Sequence, residues 1–228
     1  MAEPPHALLR GQMVEEIAAH AHLTAEQTGR DALTERVLAV MGKVPRHEFV
    51  PFELKPYAYV DAPLPIGFGK TISQPFINAL MTDLLDIRAT DRVLEIGTGM
   101  GYQAAILAEL AGEVWSLEIL EELSDEARRR LKRLGYANVE AKVGNGYFGW
   151  PEKAPFDRIM CTAAPELIPP ALIGQLKPGG RMMVPAGIAE AQQLILVTKG
   201  EDGRTRTQEI LPVRFSKLMT SDSDDSDE

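Results

Sequence analysis

At 228 residues, 45% hydrophobic and 25% charged, the chain is long enough for one α/β domain with a substantial core. Its net charge of −9 and pI near 5.1 argue against a nucleic-acid groove, which needs a basic face to displace phosphate counterions. The single cysteine, Cys161, rules out an intrachain disulfide, and no run of 18 apolar residues exists to cross a membrane.

Residues 1–11 are proline-containing and read as a loose N-terminus. Residues 13–21 and 31–41 then show helical apolar spacing, as in Leu33, Val37, Leu38 and Met41. Prolines in Val44-Pro45-Arg46-His47-Glu48-Phe49-Val50-Pro51 forbid a long helix and predict an extended, packed connection. Residues 61–75 carry Gly67, Gly69 and a closing Pro75, and read as a loop ending at a helix start. Ser73 is placed to cap that helix, whose apolar face is Ile77, Leu80, Met81, Leu84 and Leu85.

The central stretch is Arg92-Val93-Leu94-Glu95-Ile96-Gly97-Thr98-Gly99-Met100-Gly101, a buried strand running into a glycine-rich turn, with a helix over residues 102–111. Glycine lets a ligand approach backbone where a Cβ would block it. A dinucleotide fingerprint would place its third glycine where Tyr102 stands, so a pyrophosphate site is disfavoured. A second apolar strand, residues 114–118, ends in Glu118 at the spacing from which an acid reaches a ribose diol.

Downstream, residues 121–134 predict a charged amphipathic helix closed by Gly135, and residues 139–143 a short strand leading to Gly144-Asn145-Gly146. Residues 156–162 read as a strand containing Cys161, a buried small hydrophobe far from any histidine in the sequence. A helix over 172–177 is stopped by Pro178-Gly179-Gly180, and strands at 181–185, 194–199 and 210–215 follow, with Glu201-Asp202-Gly203 a hairpin turn. His20 and His22, two apart, point to different helix faces, and no metal site is expected. Residues 221–228 hold five acids and no apolar side chain, and predict a disordered acidic tail. No basic segment followed by an apolar run opens the chain, so a cytoplasmic protein is expected.

Val44 to Pro51, Gly69-Lys70-Thr71-Ile72-Ser73-Gln74-Pro75, Val93 to Gln103, Leu176-Lys177-Pro178-Gly179-Gly180 and Pro212-Val213-Arg214-Phe215 together resemble the protein-L-isoaspartate O-methyltransferases, a class I methyltransferase family. The resemblance covers about residues 12–218, and its most specific part is Thr71-Ile72-Ser73 before Pro75. It implies S-adenosylmethionine as cofactor, S-adenosylhomocysteine as product and isoaspartyl peptides and proteins as substrate, in a monomer. Ser73 becomes the expected active-site residue. The expected cofactor contacts are Lys70, Thr71, Ile72, Ser73, Asn78, Glu95, Gly97, Thr98, Gly99, Gly101, Glu118, Asn145 and Gly146. Ala163 and Ala164 would lie near the substrate. Asn145 stands where the family more often has aspartate, keeping an acceptor but losing the charge; Lys70 stands where it commonly has glutamine, an extra cation that leaves room for another carboxylate substrate. A cofactor-binding protein without turnover is the other reading, and Tyr102 disfavours a dehydrogenase.

The expected fold is a doubly wound, mostly parallel Rossmann-like sheet with a reversed C-terminal strand and an N-terminal helical cover. One domain spans 12–220, divided into N-terminal helices and substrate loop (12–90), cofactor core (91–200) and C-terminal hairpin strand (201–220).

Overall fold

The computed structural model describes residues 5–220; residues 1–4 and the acidic tail 221–228 lie outside the described residues. The N-terminus is helical from its fifth residue, where a loose segment was expected: α1 spans Pro5–Leu23. A proline in the first turn lacks only an N–H that would have no intrahelical partner there. Met13, Ile17 and Ala21, four apart, bury one stripe of the helix. The short α2 (Ala25–Thr28) ends at Gly29, and α3 (Glu35–Lys43) buries Val37, Val40 and Met41. The proline-rich connection is not extended as expected. It coils into two 3-10 turns, Arg46–Glu48 and Phe52–Tyr57, in which Pro45 and Pro51 sit just ahead of the turns and need no N–H.

The stretch read as a loop contains a hairpin, β1 (Leu64–Gly67) and β2 (Lys70–Ile72). Its tip turns through positive φ at Gly67, Phe68 and Gly69, and prolines 63 and 65 hid the strand pattern in the sequence. Next come α4 (Pro75–Leu85), β3 (Arg92–Ile96), α5 (Tyr102–Ala108), β4 (Glu113–Glu118), α6 (Glu121–Arg133) and β5 (Val139–Val143). The chain closes with β6 (Phe156–Cys161), α7 (Pro170–Gln175), β7 (Leu176–Ile188), β8 (Ala191–Lys199) and β9 (Thr205–Val213). The predicted stop at Pro178 comes two residues late, because the backbone already enters β7 at Leu176.

The main sheet has seven strands in the order β5-β4-β3-β6-β7-β8-β9. β5, β4, β3, β6 and β7 run parallel, β8 is reversed, and β9 is antiparallel to β8. The chain builds outward from β3 to β5 and then crosses to β6 on the other side of β3, which makes a switch point at the carboxyl ends of β3 and β6. Strand residues alternate between two apolar layers. Val93, Met160 and Met183 belong to the apolar layer under α4 and α5, with α1 and α3 packed in turn on α4, whereas Leu94, Ile96, Ile159, Cys161, Met182 and Val184 join Trp115, Trp150 and Leu172 on the opposite face. Apolar residues on both faces leave the sheet's open crevice at its carboxyl edge as the place for a ligand.

Candidate active site

The turn after β3 lies at that edge. The N–H groups of Gly97 and Thr98 both donate to the Leu117 carbonyl, at 2.8 and 3.2 Å, and the Thr162 N–H donates to the Ile96 carbonyl at 2.9 Å. Gly97, Gly99 and Gly101 all have positive φ. A Cβ on Gly97 would meet Thr162 Oγ1 at 2.5 Å, so the turn sits directly on the neighbouring strand end. Beneath it, Glu95 is wholly buried; the Ser116 hydroxyl donates to its Oε2, Thr98 Oγ1 lies against the same hydroxyl, and Glu95 Oε1 has no hydrogen-bond partner among the described residues. Burial pushes the Glu95 carboxyl up to about 8 against the pull of Ser116, with Glu118 adding to the rise.

Glu118, at the end of β4, closes the far side of the turn. Its Oε2 accepts the Gly99 N–H at 2.8 Å, and its Oε1 accepts those of Ile119 and Leu120 at 2.9 and 3.2 Å. Burial raises this carboxyl's pKa, and the three N–H groups pull the other way. A cleft opens over these residues, walled by Gly97, Gly99, Leu117, Glu118, Ile119, Gly144, Gly146 and Thr162, with Lys70 and Thr71 of the hairpin on one side. A Cβ on Gly146 would stand 2.3 Å from Ile96 Cγ2, so the third strand end is as closely fitted as the first.

The roof of the cleft is residues 216–219, a segment that no sequence pattern places there. Ala164 fastens it, accepting from Leu218 N–H and donating to the Ser216 carbonyl, both at 2.8 Å. The signal is a backbone bridge between residues 53 positions apart in sequence, which carries no side-chain pattern.

A second cavity of about 360 Å³ adjoins the first and shares Thr71, Thr162 and Ser216 with it. Ser73, Gln74, Phe76 and Ile77 form its floor, β9 and the residues after it one wall, and His20, Thr24 and Gln27 the other. The sequence showed no histidine near the strand ends; folding brings one there from α1. His20 Nδ1 is engaged by Asp61 Oδ2 at 2.8 Å, and its ring stacks on Phe76. Asp61 also accepts from Gln74 Nε2 at 3.0 Å and from the Phe76 N–H at 2.8 Å. Ser73 is not the cap of α4: Gln74 holds the N-cap position and its own side chain makes no capping bond. Proline at the first helical position and the Asp61 carboxylate supply what a capping serine would have.

Of the thirteen expected cofactor contacts, Lys70, Thr71, Gly97, Gly99, Glu118 and Gly146 line the first cleft. Ser73 faces the second. Glu95, Thr98 and Gly101 lie under or behind the turn, the last packed against Leu131 and Ala127. Ile72 is a buried strand residue, and Asn78 is buried among Arg46, Thr82 and Gln103. Asn145 spends its side chain on the Tyr147 N–H at 2.9 Å and the Thr220 carbonyl at 2.5 Å. Cys161 is wholly buried and its thiol is pushed up to about 12, so it takes no part as a nucleophile.

A glycine floor at the switch point, an acid ending the second parallel strand and a reversed strand at the C-terminal side define a Rossmann-like methyltransferase domain. Residues 18–223 match the family described as protein-L-isoaspartate(D-aspartate) O-methyltransferase. The chain is 61% identical over 218 residues to protein-L-isoaspartate O-methyltransferase 1 of Polaromonas sp., covering 96% of this chain and 92% of that one. It is 56% identical to protein-L-isoaspartate O-methyltransferase 2 of Syntrophobacter fumaroxidans, covering 95% and 88%. A solved protein-L-isoaspartate O-methyltransferase superposes with a TM-score of 0.79 at 28% identity, over 92% of this chain and 66% of its own length. The chain belongs to the protein-L-isoaspartate O-methyltransferase family.

Proposed function

We propose that the protein transfers a methyl group from S-adenosylmethionine to the α-carboxylate of L-isoaspartyl residues in damaged proteins, leaving S-adenosylhomocysteine and starting repair. The observation that carries this reading is the pair of adjoining cavities, one floored by glycines and one containing Ser73, with Thr71, Thr162 and Ser216 common to both. The residues present fit the cofactor: the glycine floor is one that Cβ atoms would fill, and Glu118 offers carboxylate oxygens beside it. S-adenosylmethionine supplies an electrophilic methyl on a sulfonium.

In this reading Glu118 accepts from the ribose diol, the turn through Gly97 and Gly99 lies under the amino-acid part, and Gly146 lies beside the base. Glu95 and Thr98 hold the turn from below through Ser116. The acceptor carboxylate is already ionised at neutral pH, so no general base is needed. His20 in the acceptor cavity has another task, clamping Asp61 and through it the start of α4. Ser73 donates to the acceptor carboxylate and, with Thr71, aligns it toward the first cleft. Enclosure removes water from a pair of opposite charges that neutralise each other as the new bond forms.

The protein works as a monomer in the cytoplasm, away from nucleic acid; the net charge of −9 supports the last of these. Among the described residues no helix is long and apolar enough to cross a membrane.

The test is methyl transfer to paired peptides that differ only in an isoaspartyl or aspartyl linkage. Isoaspartate routes the backbone through its side chain and leaves the α-carboxylate free, whereas aspartate sets its carboxylate one methylene away. A displacement of that order costs roughly 100-fold in rate. Similar rates on both peptides, or none on either with cofactor still bound, would overturn the assignment.

A further inference from the structure

Arg46 is wholly buried, and among the described residues it makes no ion pair. Its Nε donates to the Ala58 carbonyl at 2.9 Å and its Nη2 to the Ser73 carbonyl at 2.7 Å, with the guanidinium 4.8 Å above the Tyr102 ring. A buried cation without a carboxylate partner is costly and persists only where other groups over-determine it. Here those groups are two backbone carbonyls from separate segments and an aromatic face. The Asn78 side-chain amide converges on the same carbonyl: with its nitrogen facing that way it donates to Ser73 and Gln74 oxygens at 3.0 and 3.2 Å.

This grip fixes one peptide plane. The Ser73–Gln74 bond is trans, so the Gln74 N–H points opposite to the Ser73 carbonyl. The carbonyl points inward to Arg46, which does not line the acceptor cavity, whereas Ser73 and Gln74 both do. The Gln74 N–H has no partner among the described residues. Asp61 restrains the following residues from the other side, through Gln74 Nε2 and the Phe76 N–H.

We propose that Arg46 is a positioning residue of the acceptor site: by holding the Ser73 carbonyl inward it presents the Gln74 N–H, beside the Ser73 hydroxyl, to the carboxylate that receives the methyl group. The inference rests on the acceptor-site reading of Ser73. Arg46 touches neither substrate nor cofactor. Lysine keeps the charge but cannot span both carbonyls with the fixed fork of a guanidinium.

The experiment compares wild type with R46K in steady-state kinetics on an isoaspartyl peptide, alongside calorimetric binding of S-adenosylmethionine. The expected result is a fall in kcat/KM for the peptide on the order of 100-fold, with cofactor affinity within about twofold of wild type, a split that general loosening would not produce. Unchanged peptide kinetics, or peptide and cofactor parameters falling in parallel, would overturn the proposal. A measurement on wild type guards against R46K failing to fold: the Gln74 amide proton should shift downfield when an isoaspartyl peptide is added with S-adenosylhomocysteine. A Gln74 resonance that stays in place while the peptide saturates the protein would overturn it too. Failure of the functional reading shows differently, as wild type that does not discriminate isoaspartyl from aspartyl peptide.

Discussion

Gly99 and Glu118 are joined by a backbone-to-carboxylate hydrogen bond of 2.8 Å that ties the turn after β3 to the end of β4. The acid therefore helps shape the glycine turn as well as offering its oxygens to the cleft, and substitutions at Glu118 act on both.

Glu118→Ala is expected to weaken S-adenosylmethionine binding by about 1.5–3 kcal/mol, the worth of a hydrogen bond to a charged group, with added loss from a looser Gly99 turn. Calorimetric titration measures it. An unchanged dissociation constant would remove Glu118 from the cofactor site.

Ser73→Ala is expected to leave stability within ~0.5 kcal/mol of wild type, since the hydroxyl caps no helix end in the structure. Turnover on an isoaspartyl peptide should fall while cofactor affinity holds. A melting temperature that dropped with the rate per folded molecule intact would return Ser73 to a structural role.

Gly97→Ala places a Cβ 2.5 Å from Thr162 Oγ1 at a φ of 94°. The left-handed backbone alone costs on the order of 1 kcal/mol for alanine, and the clash adds to it. Both melting temperature and cofactor affinity should decline. A variant that binds S-adenosylmethionine normally would show that the turn has more room than its contacts indicate.

Glu95 gives a pH signature. Burial holds its carboxyl at about 8 in the folded protein against an ordinary value of 4.5. Between those values the folded state keeps a proton that the unfolded chain has released. The stability this confers is full below the unfolded pKa and is lost as pH rises through the folded one. Glu95→Gln removes the effect, so wild type should lose stability relative to the variant from about pH 4.5 to 8, and above that the gap should stay at its full size and no longer change with pH. Denaturant melts at several pH values make the comparison; a difference that does not change with pH would contradict a buried, proton-binding Glu95.

The parts of the site legible in the sequence were those written as local pattern. An apolar run ending in Glu118 and a glycine turn after Ile96 announce two strand ends, and two strand ends of a parallel sheet locate a cleft. Thr71-Ile72-Ser73 was visible through resemblance. What could not be read depends on contacts between distant segments: the hairpin tip at Phe68, His20 reaching the acceptor cavity from α1, and residues 216–219 crossing the cleft by way of Ala164. Asn78 and Asn145 were legible as polar residues near the right loops. Their side chains instead satisfy buried amides and carbonyls, a choice set by packing that no spacing reports.

The partition between the two cavities is made of single residues from three remote places, Thr71, Thr162 and Ser216. A protein engineer seeking a new acceptor therefore has a modular target. The outer wall, His20, Gln27 and Arg214, sits on α1, α2 and the chain after β9 and is separate from the glycine floor. Libraries drawn from those positions would alter which peptide enters while the donor half of the machine stays intact. The three partition residues are the ones to leave alone, because each change there is felt by donor and acceptor together.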